Sequence, residues 1–278
     1  MCNSITKAQL AAFALQLQQQ EKSPATAQKY THDIGAFAQW LGHRPLTQQL
    51  ATQYKALLID RGAAPATVNA ALSALNRFFA FLGRGDCHLR HMRVQRQVFR
   101  DPQRELTSAE YRRLIAAANR QHRPLLALLV ETLCSTGMRV SEVQFITPQA
   151  VRQGKVEIYL KGKVRVILLP SRLCRKLQPL LSRQNTGPLF CTKTGRPLTR
   201  QQIWAQLKSL CAAAGVDRQK VFPHNLRHLF AVVFYRSCRD IAKLADLLGH
   251  SNIQTTRIYL VSSGAEHRRQ LDQLHLVI

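Results

Sequence analysis

The last third of the chain places His224, Arg227, His250 and Tyr259 in one short stretch, written PHNLRH, then LLGH, then TTRIYL. Upstream, STGMRVSE carries Arg139 and YLKGKVRV carries Lys161. Such a set suits attack on a phosphodiester by a phenolic oxygen. Arginine matches the fork of phosphate oxygens and stays charged at any working pH. Tyrosine can hold a covalent intermediate, and lysine and histidine can move protons. No acidic pair with metal-ligand spacing accompanies them, so the set is read with no metal and no cofactor.

Local spacing says how each would be presented. Arg139 follows the glycine of Thr136-Gly137-Met138 and opens a short helix; Glu142, one turn on, is placed for an ion pair within that helix. Lys161 ends a strand at a hairpin tip, aimed away from the sheet, with Lys163 two residues further on. His224 and Arg227 lie three apart at a helix start and project from one face, whereas His228 is expected to point elsewhere in a structural role. His250 follows Leu247-Leu248-Gly249, a helix end at which glycine permits the turn, and Tyr259 follows nine residues later. Tyr30, Tyr111 and Tyr235 suit core or surface roles better.

In order and spacing these residues resemble the tyrosine recombinases, the Xer-type resolvases and the integrases of phages and mobile elements. The resemblance covers nearly the whole chain. It implies a site-specific DNA recombinase that works through a 3′-phosphotyrosine in integration, excision or resolution. Tyr259 would be the nucleophile, Arg139 and Arg227 the phosphate-binding arginines, and His224 an acid–base or hydrogen-bonding partner. His250 would bond a non-bridging phosphate oxygen. Lys161 would protonate the leaving 5′ oxygen, although Lys161-Gly162-Lys163-x-Arg165 is a shortened form of the family hairpin and leaves Lys163 as an alternative. A free tyrosine has a pKa near 10, so ionising it at neutral pH costs roughly 4 kcal/mol, a cost that nearby cations offset. The phosphotyrosine link retains the phosphoester bond energy, so resealing needs no ATP. Two other readings stand beside this one: a type IB topoisomerase-like strand transferase, and a catalytically idle DNA-binding accessory factor.

The elements that must position these residues are mainly helical. In the first hundred residues Thr6-Lys-Ala-Gln9 opens a helix to about Gln20, and Ser23-Pro24 opens another to Leu41 before Gly42. A third helix follows Thr47. A fourth starts at Pro65, with Val68, Leu72, Leu75, Phe78, Phe79 and Leu82 on one stripe, and ends at Gly83. ATAQKYTHDIGAFAQWL and APATVNAALSALNRFFAFL resemble the family's core-binding domain. From Gly83 to Arg104 periodicity lapses and arginines crowd, which reads as a connector ending at Asp101-Pro102. Beyond it, Thr107-Ser-Ala-Glu110 caps a helix, and an apolar helix at Leu125–Cys134 breaks at Ser135-Thr136-Gly137. Lys155–Lys161 and Lys163–Leu169 form a hairpin through Gly162, and Thr199 caps a helix to about Ala214. Further helices cover Asn225–Cys238 and Asp240–Leu248. The expected fold class is mainly α: an N-terminal helical core-binding bundle and a C-terminal mixed α/β catalytic domain with a small antiparallel sheet. The boundaries are 1–95 for the helical (SAM-like) DNA-binding domain, 96–104 for the linker, and 105–278 for the catalytic domain with its tail.

Composition names the partner class. Forty Lys+Arg against fifteen Asp+Glu gives a net charge of +25. Residues 1–100 hold 12 basic and 4 acidic side chains and residues 101–278 hold 28 and 11, so both halves are basic. Two basic folded halves suit one polyanion, here a double-stranded DNA recombination site. The resemblance adds a homo-oligomer, a tetramer in the synapse, and leaves room for accessory or directionality proteins. The seven cysteines are scattered without C-x2-C or C-x4-C spacing, and their odd count with no secretory signal argues against a disulfide framework. No run of 18 apolar residues exists, so no membrane partner is expected and the protein reads as cytoplasmic. Leu271, Leu274, Leu276, Val277 and Ile278 make an apolar terminus that needs a burial partner, its own domain or, as the family implies, a neighbouring protomer in trans.

Overall fold

A computed structural model of the chain describes residues 5–93, 102–160, 163–181, 186–250, 252–257 and 259, with 268 and 272–274. The chain divides into two compact units, Met1–Arg96 and Gln97–Ile278.

The first unit is four helices, α1 (Lys7–Gln19), α2 (Pro24–Leu41), α3 (Gln48–Asp60) and α4 (Pro65–Phe81). Their starts follow local chemistry. Thr6 and Gln9 exchange side-chain-to-backbone bonds of 3.2 and 2.9 Å at the head of α1. Ser23 caps α2, with Pro24 in its first turn. The stripe of α4 buries Val68, Leu72, Leu75, Phe78 and Phe79 against Phe13 and Leu17 of α1 and Ile34 and Phe37 of α2. Each such side chain taken from water contributes about 1.5–3 kcal/mol. Edge-to-face rings, Phe13 on Phe78 at 5.3 Å and Phe37 on Phe79 at 5.7 Å, fix how the helices mesh.

The stretch expected to begin a free connector at Gly83 is instead strapped to this core as far as Met92. Cys87 and Leu89 are buried. Asn76 accepts from Leu89 N and donates to Leu89 O, both at 2.8 Å, and Asn69 does the same for Met92 at 2.7 and 3.0 Å. The two asparagines stand two turns apart on α4 and satisfy an irregular backbone that has no ladder of its own. Periodicity fails there because side chains replace regular structure. Residues 94–101 lie outside the described residues.

The second unit is built round α6 (Pro124–Thr136), which is apolar on nearly every side and packs against α5 (Ser108–Arg120), α8 (Ser171–Leu181) and α11 (Pro223–Cys238). A short 3₁₀ helix (Val140–Phe145) and α7 (Pro148–Gln153) lead into β1 (Lys155–Leu160) and β2 (Lys163–Leu168). The strands pair antiparallel, Ile158 opposite Arg165 and Leu160 opposite Lys163. Val156, Ile158 and Ile167 face the core, while Tyr159, Val164, Val166 and Leu168 are exposed. The single helix expected after Thr199 is two, α9 (Arg200–Ser209) and α10 (Cys211–Ala214). Ser209 Oγ donates to Gln206 O at 2.7 Å, and Leu210 N bonds Leu207 O at 3.2 Å. Side-chain competition and an i−3 bond tighten the chain at that point. Beyond α11 come α12 (Ile241–Leu248) and α13 (Ile253–Arg257). Of the apolar terminus only Leu274 is described, and it is exposed; the others lie outside the described residues.

Candidate active site

The site is assembled from four chain turns. At the first, Gly137 ends α6 with φ +61, and a Cβ there would sit 2.4 Å from the Phe230 ring. Only glycine takes that left-handed backbone in that space. The sharp turn throws Arg139 to the head of the 3₁₀ helix. Its backbone N donates to Glu142 Oε2 at 2.6 Å and its Nη1 to Glu142 Oε1 at 3.1 Å. The expected ion pair within the helix is therefore present, but Glu142 is also shared. Arg165 Nη1 reaches the same Oε1 at 2.5 Å from β2.

The second turn is the start of α11, where Phe222 precedes Pro223. His224 and Arg227 stand one turn apart and face the same cleft. Arg227 is buried, with 4% exposed; it donates to Gly137 O at 2.5 Å and to Leu248 O at 2.7 Å. Burial pulls its pKa below the ordinary guanidinium value, and contact with the Tyr259 phenol partly offsets this.

The third turn ends α12 at Gly249, whose φ of +63 swings His250 back over the helix end. Arg227 Nη2 lies 2.9 Å from His250 Nε2, and Thr256 Oγ1 lies 2.9 Å from its Nδ1. Arginine can only donate, so Nε2 accepts and the neutral ring carries its proton on Nδ1, given to Thr256. Burial, then Arg227, Arg139 and Arg165, hold the His250 pKa down at about 4. Burial and Arg227 lower that of His224 as well.

The carbonyls at this helix end organise the cluster. Arg165 Nη2 donates to Leu247 O at 3.4 Å, Arg227 to Leu248 O at 2.7 Å, and Arg139 Nη2 to Gly249 O at 3.3 Å. Three guanidinium groups from three elements converge on consecutive carbonyls, where a helix presents partial negative charge. Together with the Glu142 carboxylate, those carbonyls make so dense a group of cations tolerable.

Tyr259 completes the set after α13, its N bonded to Thr256 O at 3.0 Å. It is 4% exposed, and its ring lies nearly parallel to that of His250 at 5.9 Å. His224 is 6.1 Å away, centre to centre. His228, expected to point elsewhere, packs edge-on to Tyr259 at 5.3 Å. The sequence carried that signal, since 224 and 228 are one helical turn apart. A cleft of about 500 Å3 joins Arg139, His224, Arg227, His250 and Tyr259, with Trp204 and Phe222 on its apolar wall.

Five of the six expected site residues therefore meet in one cleft of one chain. The sixth, Lys161, lies outside the described residues, and Lys163 is described only as the first residue of β2. Sequence reasoning gave no role to Arg165 or Thr256. Arg165 was discoverable: alternation along β2 puts it on the core-facing side with Ile167, an odd place for a charge. Thr256 gave no signal, because its contact to His250 exists only once α13 folds back.

The chain is similar to known proteins over nearly its whole length. The model of the phage integrase family matches residues 104–266, and that of the phage integrase N-terminal SAM-like domain matches residues 10–85. Tyrosine recombinase XerA of Thermococcus kodakarensis is 30% identical over 274 residues, covering 94% of this chain and 93% of its own. Tyrosine recombinase XerD of Vibrio cholerae serotype O1 is 27% identical over 271 residues, covering 90% and 89%. Among solved structures, a lambda integrase (75–356) dimer bound to a COC′ core site superposes with a TM-score of 0.72 at 18% identity, covering 91% of this chain and 94% of that one. XerH recombinase bound to difH substrate, before cleavage, gives 0.69 at 19% identity, covering 95% and 84%. The chain belongs to the phage integrase family and is a tyrosine recombinase, an enzyme of site-specific DNA strand exchange.

Proposed function

We propose that Tyr259 Oη attacks a phosphodiester of duplex DNA, breaking the bond from phosphorus to the 5′ oxygen and leaving a 3′-phosphotyrosine and a 5′ hydroxyl. Reversal by a 5′ hydroxyl from a second strand completes exchange. The observation that carries this reading is the burial of Tyr259 in the same cleft as Arg139, His224, Arg227 and His250. Arg139 and Arg227 would leave their carbonyl partners for the phosphate oxygens, stabilising the charge that builds at phosphorus. His224, held neutral at pH 7 by its lowered pKa, suits accepting the phenolic proton. His250 would donate to a non-bridging oxygen once the incoming anion offsets the arginines that suppress its protonation. Lys161 would supply the proton to the leaving 5′ oxygen.

The test is a nicked duplex whose cut strand loses a short 3′ fragment, analysed on a denaturing gel. Tyr259→Phe should bind this duplex with nearly unchanged affinity and form no covalent band. A persistent band would identify another nucleophile and sink the assignment. For the general acid, a 5′-bridging phosphorothiolate should restore cleavage to Lys161→Ala. Rescue of Lys163→Ala instead would shift the role by two residues.

The relatives named above support site-specific exchange over simple relaxation of one duplex and over an idle DNA-binding role. A solved lambda integrase is described as a tetramer bound to a Holliday junction, which supports a tetrameric synapse here. No helix among the described residues is long and apolar enough to cross a membrane, and work on DNA places the protein with the cytoplasmic nucleoid in our reading.

A further inference from the structure

Arg165 is the guanidinium of the cluster that does not line the cleft. Its side chain is 14% exposed and bonds Glu142 at 2.5 Å. Its Nε is buried without a hydrogen-bond partner among the described residues. Gly249 makes room for it, since a Cβ there would lie 2.7 Å from that Nε. A buried cation with an unsatisfied donor is costly, so its placement calls for a reason beyond packing.

We propose that Arg165 is a positioning residue for strand cleavage: it shares the Glu142 carboxylate with Arg139 and so keeps Arg139 available to the phosphate. Glu142 Oε1 receives both guanidinium groups, while Oε2 holds the Arg139 backbone. Without Arg165 the carboxylate faces Arg139 alone, turns it inward, and sets an unbalanced negative charge beside the scissile phosphate. With it, three arginines stand against one carboxylate and the cluster stays strongly positive. The second anchor of Arg165, Leu247 O, ties β2 to the same helix end that carries His250. One side chain therefore sets the 3₁₀ helix, the hairpin and the α12 turn relative to each other.

This inference rests on the strand-cleavage reading, and one experiment separates the two. Single-turnover cleavage of the nicked duplex is measured at saturating protein for wild type, Arg165→Gln, Glu142→Gln and the double variant, with duplex affinity alongside. Arg165→Gln should bind within about threefold of wild type yet cleave about 100-fold more slowly, the scale of a misplaced reacting group. Glu142→Gln alone should slow the wild type, whereas in the Arg165→Gln background it should speed cleavage by about tenfold, a coupling of opposite sign. A merely structural arginine gives no such reversal. Arg165→Gln cleaving at the wild-type rate, or a double variant slower than Arg165→Gln, overturns the proposal. Should Arg165→Gln fail to fold, Arg165→Lys carries the test: lysine keeps the charge but loses the fork, so cleavage slows about tenfold. A lysine variant at full speed overturns the proposal equally. A wild type that forms no covalent complex sinks the cleavage reading itself; a wild type that does, beside a fast Arg165→Gln, sinks only this one.

Discussion

At the scale of single residues, the site is a problem in managing like charges. Arg139, Arg165 and Arg227 are gathered with two histidines round one cleft and its rim, and the histidines yield by staying neutral. His250, held at about 4, is unprotonated through the physiological range. Two consequences follow from that depressed value. In the free protein the unfolded chain binds the proton between about pH 6.5 and 4 while the folded one does not, so this group makes stability fall as pH drops through that window. Urea midpoints taken across it should decline in wild type and decline less in His250→Gln; parallel curves would contradict the assignment. When DNA arrives, phosphate charge opposes the arginines and the His250 pKa should rise. Binding near pH 5.5 should therefore take up a proton, visible as a calorimetric heat that changes with the ionisation enthalpy of the buffer. A heat independent of buffer would count against it.

At the scale of elements, two glycines and two asparagines do what regular structure does not. Gly137 lets α6 stop against Phe230 and turns Arg139 toward the cleft, while its carbonyl holds Arg227. Gly137→Ala meets a left-handed backbone and a ring 2.4 Å away, and should destabilise the protein by about 3 kcal/mol in urea titrations. A loss under 1 kcal/mol would mean that α11 shifts freely, contrary to its packing on α6. In the first unit, Asn76→Ala removes both bonds that hold Leu89. It should cost about 1–3 kcal/mol and raise amide exchange across residues 85–92 while leaving α1 and α2 protected. Exchange unchanged in that segment would show that burial of Cys87 and Leu89 alone secures it.

At the scale of the whole molecule, both halves of the sequence are basic, and the charge is large enough to dominate association. Duplex affinity should fall steeply with salt through counterion release, roughly one power of salt for each phosphate contacted. Cleavage itself should persist in EDTA, because in the proposed mechanism guanidinium groups take the charge-stabilising role. Strict dependence on a divalent ion would reject the mechanism. Tyr259 also sits in the cleft of its own chain, so a mixture of Tyr259→Phe with Arg139→Ala subunits should not recover cleavage. Recovery would mean that the nucleophile is delivered between protomers.

How much of this was legible beforehand depends on the range of the interactions. Caps, proline starts and glycine stops are local, and so Thr6, Ser23, Thr107 and Gly137 marked helix ends in the sequence itself. The order of Arg139, His224, Arg227, His250 and Tyr259 likewise marked the residues that share one cleft, because the groups a reaction needs can be read from residue type. Their sharing was not announced. Glu142 serves two arginines, Thr256 fixes the proton of His250, and consecutive carbonyls of α12 receive Arg165, Arg227 and Arg139. Each of these contacts joins elements far apart in the chain or a turn that exists only when packed. The split of α9 from α10 and the strap from Cys87 to Met92 were hidden for a related reason: side chains there replace the backbone partners that periodicity reads. Local sequence set the elements and the order of the candidate groups; packing alone decided that Arg139 and Arg227 line the cleft while Arg165 lies behind it on the Glu142 carboxylate.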